Sequence, residues 1–210
     1  MIITNYTELQ QAVADWLNRS DLDTVIPAFI DNAEARLNRR VRHREMQSSG
    51  AVTIDANGEA DLPADYVEWK LLVLDTTPKA RPEYVEPDSR EFLYRFRPYS
   101  VPQYFTILQS KIKVQPATAT TGTLYYYAKL PALADNATNW LLDRSPETYL
   151  YAALVEGASY LRDEQSMSTY AEQLSGALTE LVEDSRASRL GRTPAEPVPL
   201  STHTQEQKGQ

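Results

Sequence analysis

Apolar positions in the first forty residues recur at helical spacing. Leu9, Val13, Trp16 and Leu17 fall at i, i+4, i+7 and i+8 behind the candidate caps Thr4, Asn5 and Thr7, and Ser20-Asp21 marks a break. A second stripe of Ile26, Phe29, Ile30, Ala33, Leu37 and Val41 follows Asp23-Thr24. Pro27 is tolerated there because it lies in the first turn, where no helical hydrogen bond is lost. Residues 1–47 therefore predict a helical hairpin.

The period then changes. Ala51 to Ile54, Trp69 to Leu74, Tyr104 to Leu108, Lys111 to Val114 and Thr123 to Ala128 are short and rich in β-branched and aromatic residues. Pro, Gly or Asp bound them, so residues 48–142 predict a β-rich insert of antiparallel strands. Gln109-Ser110 is placed for a two-residue hairpin turn, and a short helix capped by Asp88 is expected between Pro87 and Arg97. Helical spacing returns at residues 143–191. Ser145-Pro146-Glu147 supplies a hydroxyl cap, a proline at the first helical position and an acid at the positive helix end. Leu150, Leu154, Ala158 and Leu161 form one stripe; after Asp163-Glu164 comes another, of Met167, Tyr170, Ala171, Leu174, Leu178, Leu181 and Val182. From Arg192 to Gln210 prolines and polar residues leave only Val198 and Leu200 as large apolar groups, too few to offset the ordering entropy of the segment alone.

Charge adds a second layer. The 210 residues carry 21 basic and 29 acidic side chains, a net −8 that disfavours sequence-tolerant coating of nucleic acid. The imbalance is local: residues 143–184 hold 2 basic and 9 acidic groups, and residues 185–210 hold 4 and 2. Against that acidic block stands a basic cluster, Arg36, Arg39, Arg40, Arg42 and Arg44, near the C-terminal end of the second helix, where cations complement the helix dipole. With 42% hydrophobic residues the chain can bury a core, as one large domain or two small ones. No apolar run approaches the roughly 18 residues that span a bilayer, and Met1 to Tyr6 lack a basic leader, so aqueous surroundings and no membrane partner are expected.

Candidate chemistry is sparse. The absence of cysteine excludes disulfides, thiolate nucleophiles and Cys-ligated metals. His43 and His203 lie in polar stretches without metal-ligand spacing and are read as solvent-facing. No phosphate-cradling, zinc-protease or nucleophile-elbow motif occurs, and no cofactor is expected. Carboxylates at Asp61, Asp65 and Glu68, or at Glu180, Glu183 and Asp184, are the residue types of glycoside cleavage, but spacing alone does not set two of them across a substrate. Tyrosine outnumbers phenylalanine 13 to 4. In Tyr125-Tyr126-Tyr127 a strand must send rings to both faces, which makes Tyr126 a candidate contact residue; cross-strand packing is the other reading.

The ordered set of segments resembles the head-to-tail adaptor, or connector, proteins of tailed bacteriophages. Phe29-Ile30-Asp31-Asn32-Ala33-Glu34-Ala35-Arg36-Leu37-Asn38-Arg39-Arg40, Leu62-Pro63-Ala64-Asp65-Tyr66 and Tyr84-Val85-Glu86-Pro87 carry the first half of the likeness. The hairpin ending at Pro116, the strand from Gly122 running into Lys129-Leu130-Pro131-Ala132-Leu133, and Asn139-Trp140-Leu141-Leu142 before Pro146 carry the second. The resemblance implies an α+β fold in which N- and C-terminal helices form an antiparallel helical bundle with an inserted small antiparallel β domain and an extended C-terminal arm. It also implies a non-enzymatic ring, usually twelvefold, at the virion neck, assembled in the host cytoplasm. Its partners would be the portal protein above and a tail or nozzle protein below, with DNA passing through without specific binding.

Residue-level expectations follow for such a ring. Arg36, Arg39, Arg40 and Arg42 are expected to meet the acidic 143–184 helices, either between subunits or within one. Arg192, Val198 and Leu200 would anchor the arm on a partner, and Glu180, Glu183 and Asp184 would line a DNA channel. Two other readings stand beside this one: a carboxylate-dependent wall-degrading enzyme of the virion, and an acidic adaptor of a cellular protein.

Overall fold

A computed structural model of the chain describes residues 2–93 and 101–189, except for the side chains of 187–189. Helix α1 (Tyr6–Leu17) begins at Asn5, whose side chain accepts the Glu8 N–H at 2.9 Å, while the Glu8 carboxylate accepts from the Thr4 N–H and hydroxyl at 2.7 Å. This reciprocal arrangement satisfies donors that a helix start leaves orphaned. The helix ends earlier than the expected Ser20-Asp21 break, because Asn18 takes the left-handed conformation (φ 50°) that Asn tolerates. Helix α2 (Ile26–Arg40) has Pro27 in its first turn as expected, but Val25, not Asp23 or Thr24, stands at its cap. An Arg44–Met46 turn then leads into the strands.

The insert folds as two small sheets. β1 (Gln47–Ile54), β7 (Thr120–Ala128) and β3 (Tyr66–Leu74) form an antiparallel sheet in the order β1-β7-β3. β2 (Glu59–Asp61), β6 (Lys111–Gln115), β5 (Tyr104–Leu108) and β4 (Glu83–Tyr84) form the second. The expectation of purely antiparallel pairing fails at one edge, where β4 runs parallel to β5 through Glu83↔Tyr104 and Tyr84↔Phe105. The two-residue β4 and three-residue β2 are too short for alternation to reveal. Gln109-Ser110 does close a two-residue hairpin, with Gln109 at φ 58° and Leu108 opposite Lys111. Asn57-Gly58 lies in the turn that carries the chain from one sheet to the other: the Asp55 N–H donates to the Glu59 carbonyl at 2.9 Å, Asp55 Oδ1 accepts the N–H groups of Asn57 and Glu59, and Gly58 takes φ 79°. Helix α3 (Arg90–Leu93) occupies part of the expected 87–97 helix; Ser89, not Asp88, accepts the Phe92 N–H, and the remainder of that expectation lies outside the described residues.

Helix α4 (Trp140–Arg144) crosses the expected boundary at residue 142 and meets α5 (Pro146–Leu161) at Ser145. The Ser145 hydroxyl bonds the Glu147 carboxylate and the Thr148 hydroxyl and does not cap the backbone, so of the three expected start signals Pro146 and the first-turn acid Glu147 remain. Helix α5 packs against α1, α2, α4 and α6 (Glu164–Arg189). Its single expected stripe is therefore too narrow: Tyr149, Ala152, Ala153, Val155 and Gly157 are buried as well. Conversely, α6 buries a narrower stripe than expected, with Leu174, Ala177 and Leu181 inside and Ala171 and Val182 exposed, because α5 is its main neighbour.

The result is a mixed α+β structure with six helices and two small sheets among the described residues. Its apolar interior divides into two clusters: one between the helices, reaching Leu130 and Leu133, and one between the two sheets. β7 serves both, because alternate residues face opposite ways: Tyr127 enters the helical cluster and Tyr126 the sheet cluster.

Candidate functional site

Helix α2 presents three polar edges, and each has a different fate. On the edge facing the segment after β7, Glu34 and Asn38, one turn apart, accept backbone N–H groups of that segment. Asn38 Oδ1 takes Leu130 at 2.8 Å and Glu34 Oε1 takes Leu133 at 2.9 Å. The Tyr149 hydroxyl also donates to Glu34 at 3.3 Å, and Asn139 Nδ2 donates to that hydroxyl at 2.7 Å and to the Pro131 carbonyl at 2.8 Å. Burial pushes the Glu34 carboxyl up, against the hydrogen bonds it accepts, and burial likewise raises Tyr149. These buried polar groups fix a crossover against the helices.

On the second edge, Arg36 reaches Glu156 of α5 at 2.5 Å. The expected meeting of basic cluster and acidic block thus occurs within the chain at this pair. Arg42 turns to the sheets instead, pairing with Glu68 of β3 at 2.6 Å and donating to the Asn38 and Val41 carbonyls.

His43, expected to face solvent, is 1% exposed. Its ring stacks on Trp140 at 4.9 Å, its Nδ1 accepts the Glu45 N–H and its Nε2 lies 3.2 Å from the Asp184 carboxylate. Arg144 donates to the same carboxylate at 2.6 Å. The bond to His43, then the neighbouring Arg144, hold the Asp184 carboxyl below its ordinary value. Asp184, expected among the channel-lining acids, is therefore engaged within the subunit by His43 and Arg144. A polar sequence neighbourhood hid His43 because its covers come from residues about a hundred or more positions away.

The third edge is open. Ala35, Asn38, Arg39 and Arg42 of α2 and its following turn, with Tyr66, Val67 and Lys129, line a cleft of about 550 Å³. Arg39 and Lys129 are exposed and have no ion pair among the described residues. Arg40 is exposed too, beside a narrower recess with Leu178 and Val182. Sequence reasoning missed Lys129, which follows a strand and has no basic neighbour in sequence to draw attention.

Tyr126, proposed as a contact residue, is 5% exposed, and its hydroxyl donates to Asp65 at 2.9 Å. Tyr125 is the ring turned outward, at 42%. Glu180 and Glu183 lie exposed on α6. Arg192, Val198 and Leu200 lie outside the described residues. Among the described residues no group of three or more His, Asp or Glu is arranged to hold a metal ion, and no helix is long and apolar enough to cross a membrane. The arrangement offers charged recognition surfaces on a body braced by buried hydrogen bonds.

A family model described as SU10 adaptor protein matches residues 4–197. No curated protein matches the chain.

Proposed function

The chain belongs to the SU10 adaptor protein family, a phage adaptor family, and we propose on that footing that it is a head-to-tail adaptor of a tailed phage. In this reading several copies, twelve in the family resemblance, form a ring at the virion neck. The ring docks on the portal and provides the platform for a tail or nozzle protein, while DNA passes through without specific binding. The N- and C-terminal helices act as one antiparallel bundle, with the two sheets as an inserted β domain and residues 192–210 as an arm. The role is non-enzymatic.

The observation that carries the proposal is the family match, which spans helices and sheets alike from residue 4 to residue 197. The braced body agrees with it: Glu34, Asn38 and Asn139 spend their polar atoms on holding the segment after β7 against the helices, which suits a part that must keep its shape under load.

Native mass measurement of the full chain, alone and with the portal ring of the same phage, tests it. The expected result is a set of copies loading onto the portal as one closed complex. A chain that stays monomeric and ignores both portal and tail components would overturn the reading.

A further inference from the structure

The internal ion pairs sort the charges of this chain into spent and free. Arg36, Arg42, Arg144 and Asp184 are spent inside the subunit. Arg39 and Lys129 at the α2 cleft are free among the described residues, and so are Glu172, Glu180 and Glu183 on α6.

The three glutamates share one helix face. At about 100° per residue they fall within an arc of roughly 80°, away from the buried Leu174, Ala177 and Leu181. Thr169, Gly176 and Thr179, all exposed, fall on or beside the same arc, and the position where a Gly176 side chain would begin has nothing within 4 Å. This face is therefore acidic and low in profile over about 16 Å from Glu172 to Glu183. The cleft is its counterpart: cationic at Arg39 and Lys129, with an apolar and aromatic floor from Ala35, Val67 and Tyr66. The two surfaces belong to different parts of one folded subunit, and the glutamates point away from their own core.

We infer that the outward α6 face of one copy seats in the Arg39/Lys129 cleft of the next. The contact joins unlike patches, so each copy uses both and the assembly is heterologous, closing into a ring when the rotation permits. The inference rests on the ring reading above and names the interface that reading lacks. It also takes Glu180 and Glu183 away from the channel wall.

The test reverses each surface separately in the full chain. One variant carries Arg39→Glu and Lys129→Glu; the other carries Glu172→Lys, Glu180→Lys and Glu183→Lys. Each alone should weaken copy-to-copy association, alone or on the portal, by at least about tenfold, with unchanged thermal unfolding. Mixed together they should reassemble in alternation, since a negative cleft then meets a positive helix and a positive cleft a negative one. Association of the wild type should also fall with added salt.

Reversed variants that assemble as well as the wild type overturn the interface and leave the adaptor reading intact. A mixture that fails to reassemble also overturns it. Altered DNA release with normal assembly would return the glutamates to the channel. A wild type that neither self-associates nor loads the portal removes both readings.

Discussion

Glu34 sits inside the helical interior of the protein and accepts the backbone N–H of Leu133 at 2.9 Å, across 99 residues of chain. It joins α2 to the segment that leaves β7, and through the Tyr149 hydroxyl it also touches α5. Replacing it with alanine leaves the Leu133 donor buried without a partner, a loss of about 1–3 kcal/mol that urea unfolding should register. Glu34→Gln retains an acceptor and should cost less.

The same carboxyl gives a pH signature. Burial raises its value above 4.5, so the folded chain binds that proton more tightly than the unfolded chain does. Stability from this group is greatest below 4.5 and is lost as pH rises through the raised value. Stability curves of wild type and Glu34→Gln should therefore converge or cross as pH climbs through that window; parallel curves would show that Glu34 titrates normally.

Asp184 has the opposite sign. Its carboxyl is held below 3.8 by His43 and Arg144, so its contribution is fully present above 3.8 and disappears as pH falls through the lowered value. Wild type should lose its advantage over Asp184→Asn in that acid window, as followed by thermal unfolding at stepped pH. With the carboxylate partly exposed the effect should be small.

Two glycines should respond in opposite directions to alanine. At Gly122 a new Cβ would lie 2.5 Å from the Val73 carbonyl oxygen, so β3 and β7 must part, at a cost of about 1–3 kcal/mol. At Gly176, inside α6 with open space around it, alanine should stabilise by about 0.5–1 kcal/mol. Thermal unfolding of the two variants reads both.

Arginines of one cluster should also separate. Arg36→Ala breaks the partly buried pair with Glu156 and should cost up to about 1 kcal/mol, and a double-mutant cycle with Glu156→Ala should recover the coupling. Arg39→Ala touches no intrachain ion pair among the described residues and should stay within about 0.5 kcal/mol.

Much of the architecture was legible because helix periodicity, caps and breakers act over a few residues. The stripes of α1 and α2, the proline start of α5 and the Gln109-Ser110 hairpin all reappear in the fold. What misled was environment. Trp16 lies on an apolar stripe yet is 48% exposed, resting edge-on against Tyr151 and Tyr170. Of the three consecutive tyrosines, alternation showed that rings must face both ways but not which side would be covered twice.

The order of the long helices and of the longer strands, the surplus of acid in the third segment and the basic cluster on α2 are properties of neighbouring residues, and they could be read along the chain, whereas β2, β4 and α4 could not. Which of those charges remain available is set by packing. Arg36, Glu34, His43 and Asp184 were each assigned a partner by contacts across about 100 residues or more, and a periodic pattern encodes how polar a face is without encoding what will meet it. That sorting, which leaves Arg39 and Lys129 facing outward beside a cleft, turns a charge count into a surface.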